Sequence, residues 1–241
     1  MRKVLLLGSQ HGNEKLGDAL YAHLSTKRRE LLPHITYIIG NPRAYAENIR
    51  YIESDLNRSY NGKRNTYEER RALKLLNFIG DGMFELVIDL HTTKCLQPTF
   101  MMVASDSEEI ERFKHATSIK RVVYMKHHIK KTSLIGVCPN AISIEVNEHS
   151  LDIKLLGALC DDIERYIIGV SSLVTPQMYE IYDLLGKEEL PQSDIKVLQN
   201  FKKTTYGFYP ILVGDNSYKK QTDYLGFKAR IIETKSLKGT V

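Results

Sequence analysis

Two stretches, residues 4–7 (Val-Leu-Leu-Leu) and 86–90 (Leu-Val-Ile-Asp-Leu), are nearly continuous apolar runs that stop abruptly at polar residues. Runs this short and this apolar read as strands buried on both faces, which requires helices packed on each side of a sheet. Suitable helices are present. Residues 16–32 place Leu16, Ala19, Leu20 and Leu24 at helical spacing and stop before Pro33, and residues 67–79 and 151–168 are amphipathic. Residues 35–39, 99–104, 122–125 and 141–146 read as further strands, and residues 108–117 as a helix. The alternation predicts an α/β layered domain over residues 1–169. After it, residues 178–185 and 209–213 read as strands with little helix between them, so residues 170–241 are expected as a small β-rich C-terminal appendage. Residues 43–65 are polar without a sustained period and read as a long loop, of the kind that is usually functional.

The chain has 241 residues, 42% of them hydrophobic and 26% charged, which excludes a disordered or collagenous protein. The longest apolar runs fall far short of the ~20 residues of a spanning helix. Gly8-Ser9-Gln10-His11 interrupts the first run before a signal-peptide core can form, so a cytoplasmic protein without a membrane partner is expected. Cys95, Cys138 and Cys160 are odd in number and widely spaced, which argues against a disulfide framework and a four-thiolate zinc site. A net charge of +5 is mildly basic, and no recognition motif accompanies it, so no nucleic acid is expected.

Chemistry concentrates at the predicted strand ends, where ligands of open α/β sheets bind. Gly8-Ser9-Gln10-His11-Gly12-Asn13-Glu14 follows the first strand, and His11 and Glu14, three apart, face the same way in a turn. Alone, the pair also fits a turn histidine beside a helix-start glutamate. Asp89-Leu90-His91 ends the strand at 85–90. His11, Glu14 and His91 together form a His₂Glu set, the pattern of a catalytic zinc with an open fourth position. Asp89 lies on the same side of its strand as His91 and is placed to take the second imidazole N–H. Within the polar loop, Arg50 and Arg58 offer forks suited to carboxylates. Ile142-Ser143-Ile144-Glu145-Val146 is a strand interrupted by one carboxylate, and a desolvated Glu can shuttle protons near neutral pH.

Five motifs, His11-Gly12-Asn13-Glu14, Asn41-Pro42-Arg43, Arg50 through Asp55-Leu56-Asn57-Arg58, Asp89-Leu90-His91 and Ile144-Glu145-Val146, occur in an order and spacing that resembles the aspartoacylase and succinylglutamate desuccinylase family. The interval from Tyr209-Pro210 to Tyr218 is similar as well. The resemblance implies a mixed-sheet carboxypeptidase-like fold and zinc-dependent hydrolysis of the amide bond of a small-molecule N-acyl amino acid. It implies one zinc per chain on His11, Glu14 and His91, and a zinc-activated water as the attacking group. Glu145 would be general base and then acid, Arg50 would polarise the scissile carbonyl, and Asn57, Arg58 and Tyr218 would hold the α-carboxylate. The C-terminal segment would contribute to the site through Tyr218. One departure bears on substrate choice. The family pattern has an arginine about ten residues before the base, and here no Arg occurs between Arg121 and Arg165, although Lys130 and Lys131 lie nearby.

Two rival readings follow from the same residues: a zinc carboxypeptidase-like peptidase with the same metal set, and a metal-free domain that binds carboxylates through Arg50, Asn57 and Arg58. A homo-oligomer is compatible with the sequence.

Overall fold

The computed structural model describes residues 1–214 and 224–233. Its strands are β1 (Val4–Gly8), β2 (Ile35–Ile39), β3 (Leu86–Thr93), β4 (Phe100–Val103), β5 (Arg121–Met125), β6 (Ala141–Asn147), β7 (Gln177–Gly186), β8 (Tyr209–Ile211) and β9 (Tyr224–Ile232). Among the described residues they form one mixed sheet in the order β2-β1-β3-β6-β4-β5-β7-β9-β8. The helices are α1 (Leu16–Lys27), α2 (Pro42–Glu47), α3 (Tyr67–Asp81), α4 (Glu108–Ala116), α5 (Leu134–Val137), α6 (Ile153–Ile168) and α7 (Gln192–Ile195). The expected α/β layered architecture is what the chain adopts.

The apolar runs of β1 and β3 are buried throughout, and each divides its side chains between two cores. Val4 and Leu6 of β1 join α1, α4 and α6 on one face of the sheet, through Leu20, Phe113 and Tyr166 among others. Leu5 and Leu7 join Ala72 and Leu75 of α3 and Leu134 and Ile135 of α5 on the other. Two covered faces explain why these strands are continuously apolar rather than alternating. No helix among the described residues is long and apolar enough to cross a membrane.

The topology locates the cleft. β1 pairs in parallel with β2 on one side and β3 on the other, so the chain changes direction across the sheet at β1. Crevices open beyond the carboxyl ends of strands at such a switch point. β3 pairs in parallel with β6, whose other neighbour, β4, runs antiparallel. β7 pairs in parallel with β5, and β9 and β8 extend the same sheet from there.

Several expected boundaries shift for local reasons. The helix expected over 16–32 ends at Lys27, and residues 29–34 tighten into a 3-10 turn that contains Pro33. The loop expected over 43–65 begins with α2 instead. Asn41 caps it through Ala44 N–H, Pro42 starts it, and Asn48 ends it in the left-handed region at φ 53°. β9 has no counterpart in the sequence expectations. Leu225, Phe227 and Ala229 are buried, and Lys228 and Arg230 pair with Asp183 and Glu180, which face them across the antiparallel register on β7.

Gly12 is required by a close approach. A Cβ there would collide with the backbone of Ala44 and Tyr45 in α2, and its N–H donates to Arg50 O at 3.2 Å. Gly157, inside α6, has open space instead. Gly12→Ala should therefore lower stability by about 1–3 kcal/mol, the usual cost of overpacking. Gly157→Ala should raise it by about 0.5–1 kcal/mol, because glycine is poor inside a helix. Thermal and denaturant unfolding of the two variants would check the opposite signs.

Candidate metal and substrate site

His11 and Glu14 occupy the turn between β1 and α1, with Glu14 N–H donating to His11 O at 3.0 Å. His91 lies on β3, and the parallel register sets it opposite Glu145 of β6, as it sets Asp89 opposite Ser143. The register makes one polar stripe across two central strands. The alternate positions, Leu90 and Ile144, turn into the other core.

His11, Glu14 and His91 are all buried, and they offer ligand atoms within 4.8 Å of one another. Glu14 is the hub. Its Oε1 lies 2.7 Å from His11 Nδ1 and its Oε2 lies 2.9 Å from His91 Nδ1. The outer ring nitrogens are held as well, His11 Nε2 at 3.0 Å from Asp55 Oδ1 and His91 Nε2 at 2.8 Å from Asp89 Oδ2. Asp55, His11, Glu14, His91 and Asp89 thus form a row of alternating charge. Burial by itself would discharge His11, Glu14 and His91, but their neighbours reverse that. Glu14 and Asp55 hold His11 above its usual value, and Asp89 and Glu14 hold His91 well above. The two imidazoles hold Glu14 far below the usual carboxylate range.

This set fits a divalent metal ion. Two imidazoles and a carboxylate bring ligand atoms within 4.8 Å of one another, and each outward Nε2–H has a carboxylate acceptor that fixes the tautomer. Asp89 sits where the sequence expected it, on the second nitrogen of His91. Asp55 performs the same service for His11 and had been assigned no role, because its partner is 44 residues away and nothing local marks the pair.

The cleft in front of this row is lined by His11, Glu14, His91, Arg50, Asn57, Arg58 and Glu145, with Thr92, Thr93 and Leu212 completing the wall. The expected site residues that are described therefore face one cleft. Tyr218 lies outside the described residues. Arg50 Nη2 bonds Asp55 Oδ2 at 3.0 Å, which sets its guanidinium 4.0 Å from Glu14. Asp55 caps a 3-10 turn over Leu56–Arg58 through Asn57 N–H, presenting Asn57 and Arg58 from a fixed backbone. Burial pushes the Glu145 carboxyl up, as suits a group that takes and returns a proton.

The polar segment that carries Arg50 and Asp55 is organised by a residue that sequence reasoning missed. Glu68 is fully buried in the first turn of α3. Its carboxylate accepts from Ile52 N–H at 2.7 Å, from Glu53 and Ser54 N–H at 3.1 Å each, and from the Asn41 amide at 3.1 Å. Charge-assisted bonds of this kind contribute about 1.5–3 kcal/mol each. In sequence, Glu68 is indistinguishable from Glu69 beside it, which instead closes an ordinary capping box with Thr66.

Beyond Glu145 a second compartment continues inward. It shares Asn57, Arg58, Glu145 and Leu212 with the first and adds Met102, Met125, Ile135 and Phe227 together with the polar Asp89, Ser133 and Ser143, with Lys130 as its further cation. Lys130 Nζ donates to Ala104 O at 3.3 Å, whereas Lys131 is exposed.

Comparison with known proteins bears on the family and the fold. Residues 1–150 match the succinylglutamate desuccinylase/aspartoacylase catalytic domain. The chain is 26% identical over 246 residues to a probable aspartoacylase of Prochlorococcus marinus (strain MIT 9515), which covers 88% of this chain and 80% of that protein. Other probable aspartoacylases align over 35% to 61% of their own lengths. Among solved structures, murine aminoacylase 3 superposes with a TM-score of 0.67 at 18% identity, covering 96% of this chain and 95% of that one. A metallo-carboxypeptidase from Burkholderia cenocepacia superposes with a TM-score of 0.53 at 17% identity, over 69% and 57% of the two chains. The carboxypeptidase-like fold expected from the sequence is the fold observed.

The alternating row sets a pH signature for the metal-free chain. The raised histidines stabilise the fold fully below their unfolded value near 6.5, and this is lost as pH rises through the folded values. The depressed Glu14 stabilises fully above its unfolded value near 4.5, and this is lost as pH falls. With metal removed by a chelator, the contribution of the row should peak between about pH 4.5 and 6.5. Urea unfolding should show stability declining above that window in the wild type and a flatter profile in Glu14→Gln.

Proposed function

The chain belongs to the succinylglutamate desuccinylase/aspartoacylase catalytic-domain family, and from that premise we propose that it is a zinc-dependent amidohydrolase of N-acyl amino acids. The observation that carries the reading is the convergence of His11, Glu14, His91, Arg50, Asn57, Arg58 and Glu145 on one cleft. The relatives' names, aspartoacylase and aminoacylase, point to the same class of bond.

In this reading His11 and His91, through Nδ1, and Glu14, through its carboxylate, hold one zinc ion. When bound, zinc supplies a Lewis acid that polarises a carbonyl and acidifies water. The protein's own groups do the rest. Glu145 removes the proton of the attacking water at its carboxylate and returns it to the leaving nitrogen, and its raised pKa matches both duties. Arg50, aligned by Asp55, meets the charge that develops on the carbonyl oxygen as the carbon becomes tetrahedral. Asn57 and Arg58 anchor the α-carboxylate, and their place on one 3-10 turn keeps the two contacts in register. Tyr218 is proposed as a third contact to that carboxylate, brought by the C-terminal segment. The three cysteines are buried and form no disulfide with one another, which fits the reducing cytoplasm.

The inner compartment bears on which amino acid is accepted. Met102, Met125, Ile135, Leu212 and Phe227 give its walls an apolar part, Asp89 and Glu145 add acids that disfavour a further carboxylate, and Lys130 is a hydrated point charge without the planar two-pronged fit of an arginine. An acidic side chain therefore gains little over a neutral one.

The deciding experiment is hydrolysis by the zinc-loaded chain of a panel of N-acetyl amino acids set against short peptides with free carboxyl termini. Cleavage of the N-acyl amino acids is expected. Cleavage of the peptides alone would favour a carboxypeptidase-like peptidase, and a chain that takes up no zinc and cleaves neither class would favour a carboxylate-binding domain. Within the panel, N-acetyl-aspartate should exceed N-acetyl-asparagine in kcat/KM by about tenfold or less, or about 1.4 kcal/mol. A preference above roughly a thousandfold would mean that a better-placed cation serves the second carboxylate. Glu145→Gln should lower kcat by roughly 10²–10⁴-fold while one zinc per chain is retained. Loss of the metal instead would make Glu145 a ligand and not a base.

A further inference from the structure

Behind His91 a chain of side-chain hydrogen bonds leads away from the cleft. Asp89 Oδ2, which holds His91 Nε2, also accepts from Gln10 Nε2 at 2.5 Å. Gln10 Oε1 in turn accepts from the Tyr60 hydroxyl at 2.7 Å. All four residues are buried, Gln10 completely. The directions follow from donor and acceptor inventories. A carboxylate facing Gln10 can only accept, so the amide must turn its NH₂ toward Asp89, and its remaining oxygen must accept from the phenol. Burial and the charge of Asp89 push the Tyr60 phenol well up, so it stays a donor. Asp89 Oδ1 has no hydrogen-bond partner among the described residues. The orientation of Asp89 therefore depends on what its Oδ2 bonds, and Gln10 is the bond that comes from outside the metal row.

Tyr60 is itself pinned. It stands two residues beyond Arg58, and its N–H donates to Thr132 O at 3.1 Å. The phenol thus ties the 3-10 turn of Asn57 and Arg58 to the strand that carries His91. Burying an amide and a phenol beside a charged pair is costly unless every group is satisfied. An apolar residue at position 10 would fill the space without that demand, so the polar chain points to a role.

We propose that Gln10 and Tyr60 are positioning residues for His91, acting through Asp89 to keep the proton on Nε2 and the Nδ1 lone pair directed into the cleft. The proposal rests on the reading of His91 as a metal ligand, and its test separates the two. Metal-free full-length Tyr60→Phe, Gln10→Met and the double variant are titrated with Zn²⁺ against a chromophoric chelator. Tyr166→Phe serves as the control, since it removes a buried phenol that bonds Glu109 from the core on the other face. Tyr60→Phe should weaken Zn²⁺ binding roughly tenfold and Gln10→Met roughly 10–100-fold, the range that partners of ligating histidines carry. The double variant should be no weaker than Gln10→Met, because both changes cut one chain, and Tyr166→Phe should bind as the wild type does.

Wild-type affinity in both single variants, additive losses, or an equal loss in Tyr166→Phe would overturn the proposal. The ¹H–¹⁵N signal of His91 Nε2–H in the metal-free protein gives a readout independent of any metal. It should be sharp and far downfield in the wild type and broadened by exchange in Tyr60→Phe and Gln10→Met. An unchanged signal in both would overturn the relay. If the wild type binds no Zn²⁺ while the variants still change this signal, the relay stands and the ligand role of His91 fails.

Discussion

A carboxylate held between two imidazoles sets the terms for this molecule. Glu14 is buried, and an isolated buried carboxylate is too costly to remain charged. It stays ionised because His11 and His91 face its two oxygens, and those imidazoles stay in place because Asp55 and Asp89 face their other nitrogens. Each charge is compensated by its neighbour along the row, so the removal of any inner member leaves a buried charge exposed to low dielectric. The same arrangement leaves three ligand atoms within 4.8 Å of one another. Metal and protons therefore compete for the same Nδ1 atoms, and the outer carboxylates favour whichever cation is present.

Much of the fold follows from the need to bring these groups together without burying them alone. β1, β3 and β6 are adjacent and parallel, so their carboxyl ends deliver His11, His91 and Glu145 to one rim. On the opposite face the same strands supply Val4, Leu6, Ile88, Leu90, Ile142 and Ile144 to the core shared with α1, α4 and α6. The segment after α2 then closes over the rim. Its conformation is imposed from below by Glu68, which gathers three consecutive backbone N–H groups, and from the side by Gly12, whose N–H reaches Arg50 O. Arg50, Asp55, Asn57 and Arg58 are thereby fixed by buried bonds even though they belong to a polar, irregular stretch.

How much of this could be read from the sequence depended on how local each signal was. His11 and Glu14 stand three apart at the end of an apolar run, and Asp89 and His91 two apart at the end of another, so both halves of the metal set announce themselves. Glu145 was visible as the one carboxylate in an apolar strand. Asp55, Gln10 and Tyr60 were not, because their partners lie 44, 79 and 50 residues away and each residue type is ordinary in a loop. Glu68 was hidden beside Glu69 for the same reason. β9 escaped because Lys228 and Arg230 interrupt its apolar residues, and only the acids opposite them on β7, Asp183 and Glu180, explain them. Lys130 and Lys131 read alike as cations near the missing arginine, and only the turn that precedes α5 places Lys130, and not Lys131, on the wall of the inner compartment.

The central claim is that His11, Glu14 and His91 form a single metal centre. X-ray absorption at the zinc edge of the zinc-reconstituted chain tests it most directly. The account predicts one zinc per chain, with two imidazole nitrogens and carboxylate or water oxygens as its neighbours and no sulfur, and it predicts that one imidazole disappears from the spectrum of His91→Ala if any metal remains. A zinc ion coordinated by cysteine sulfur, or an unaltered two-imidazole spectrum in His91→Ala, would contradict it.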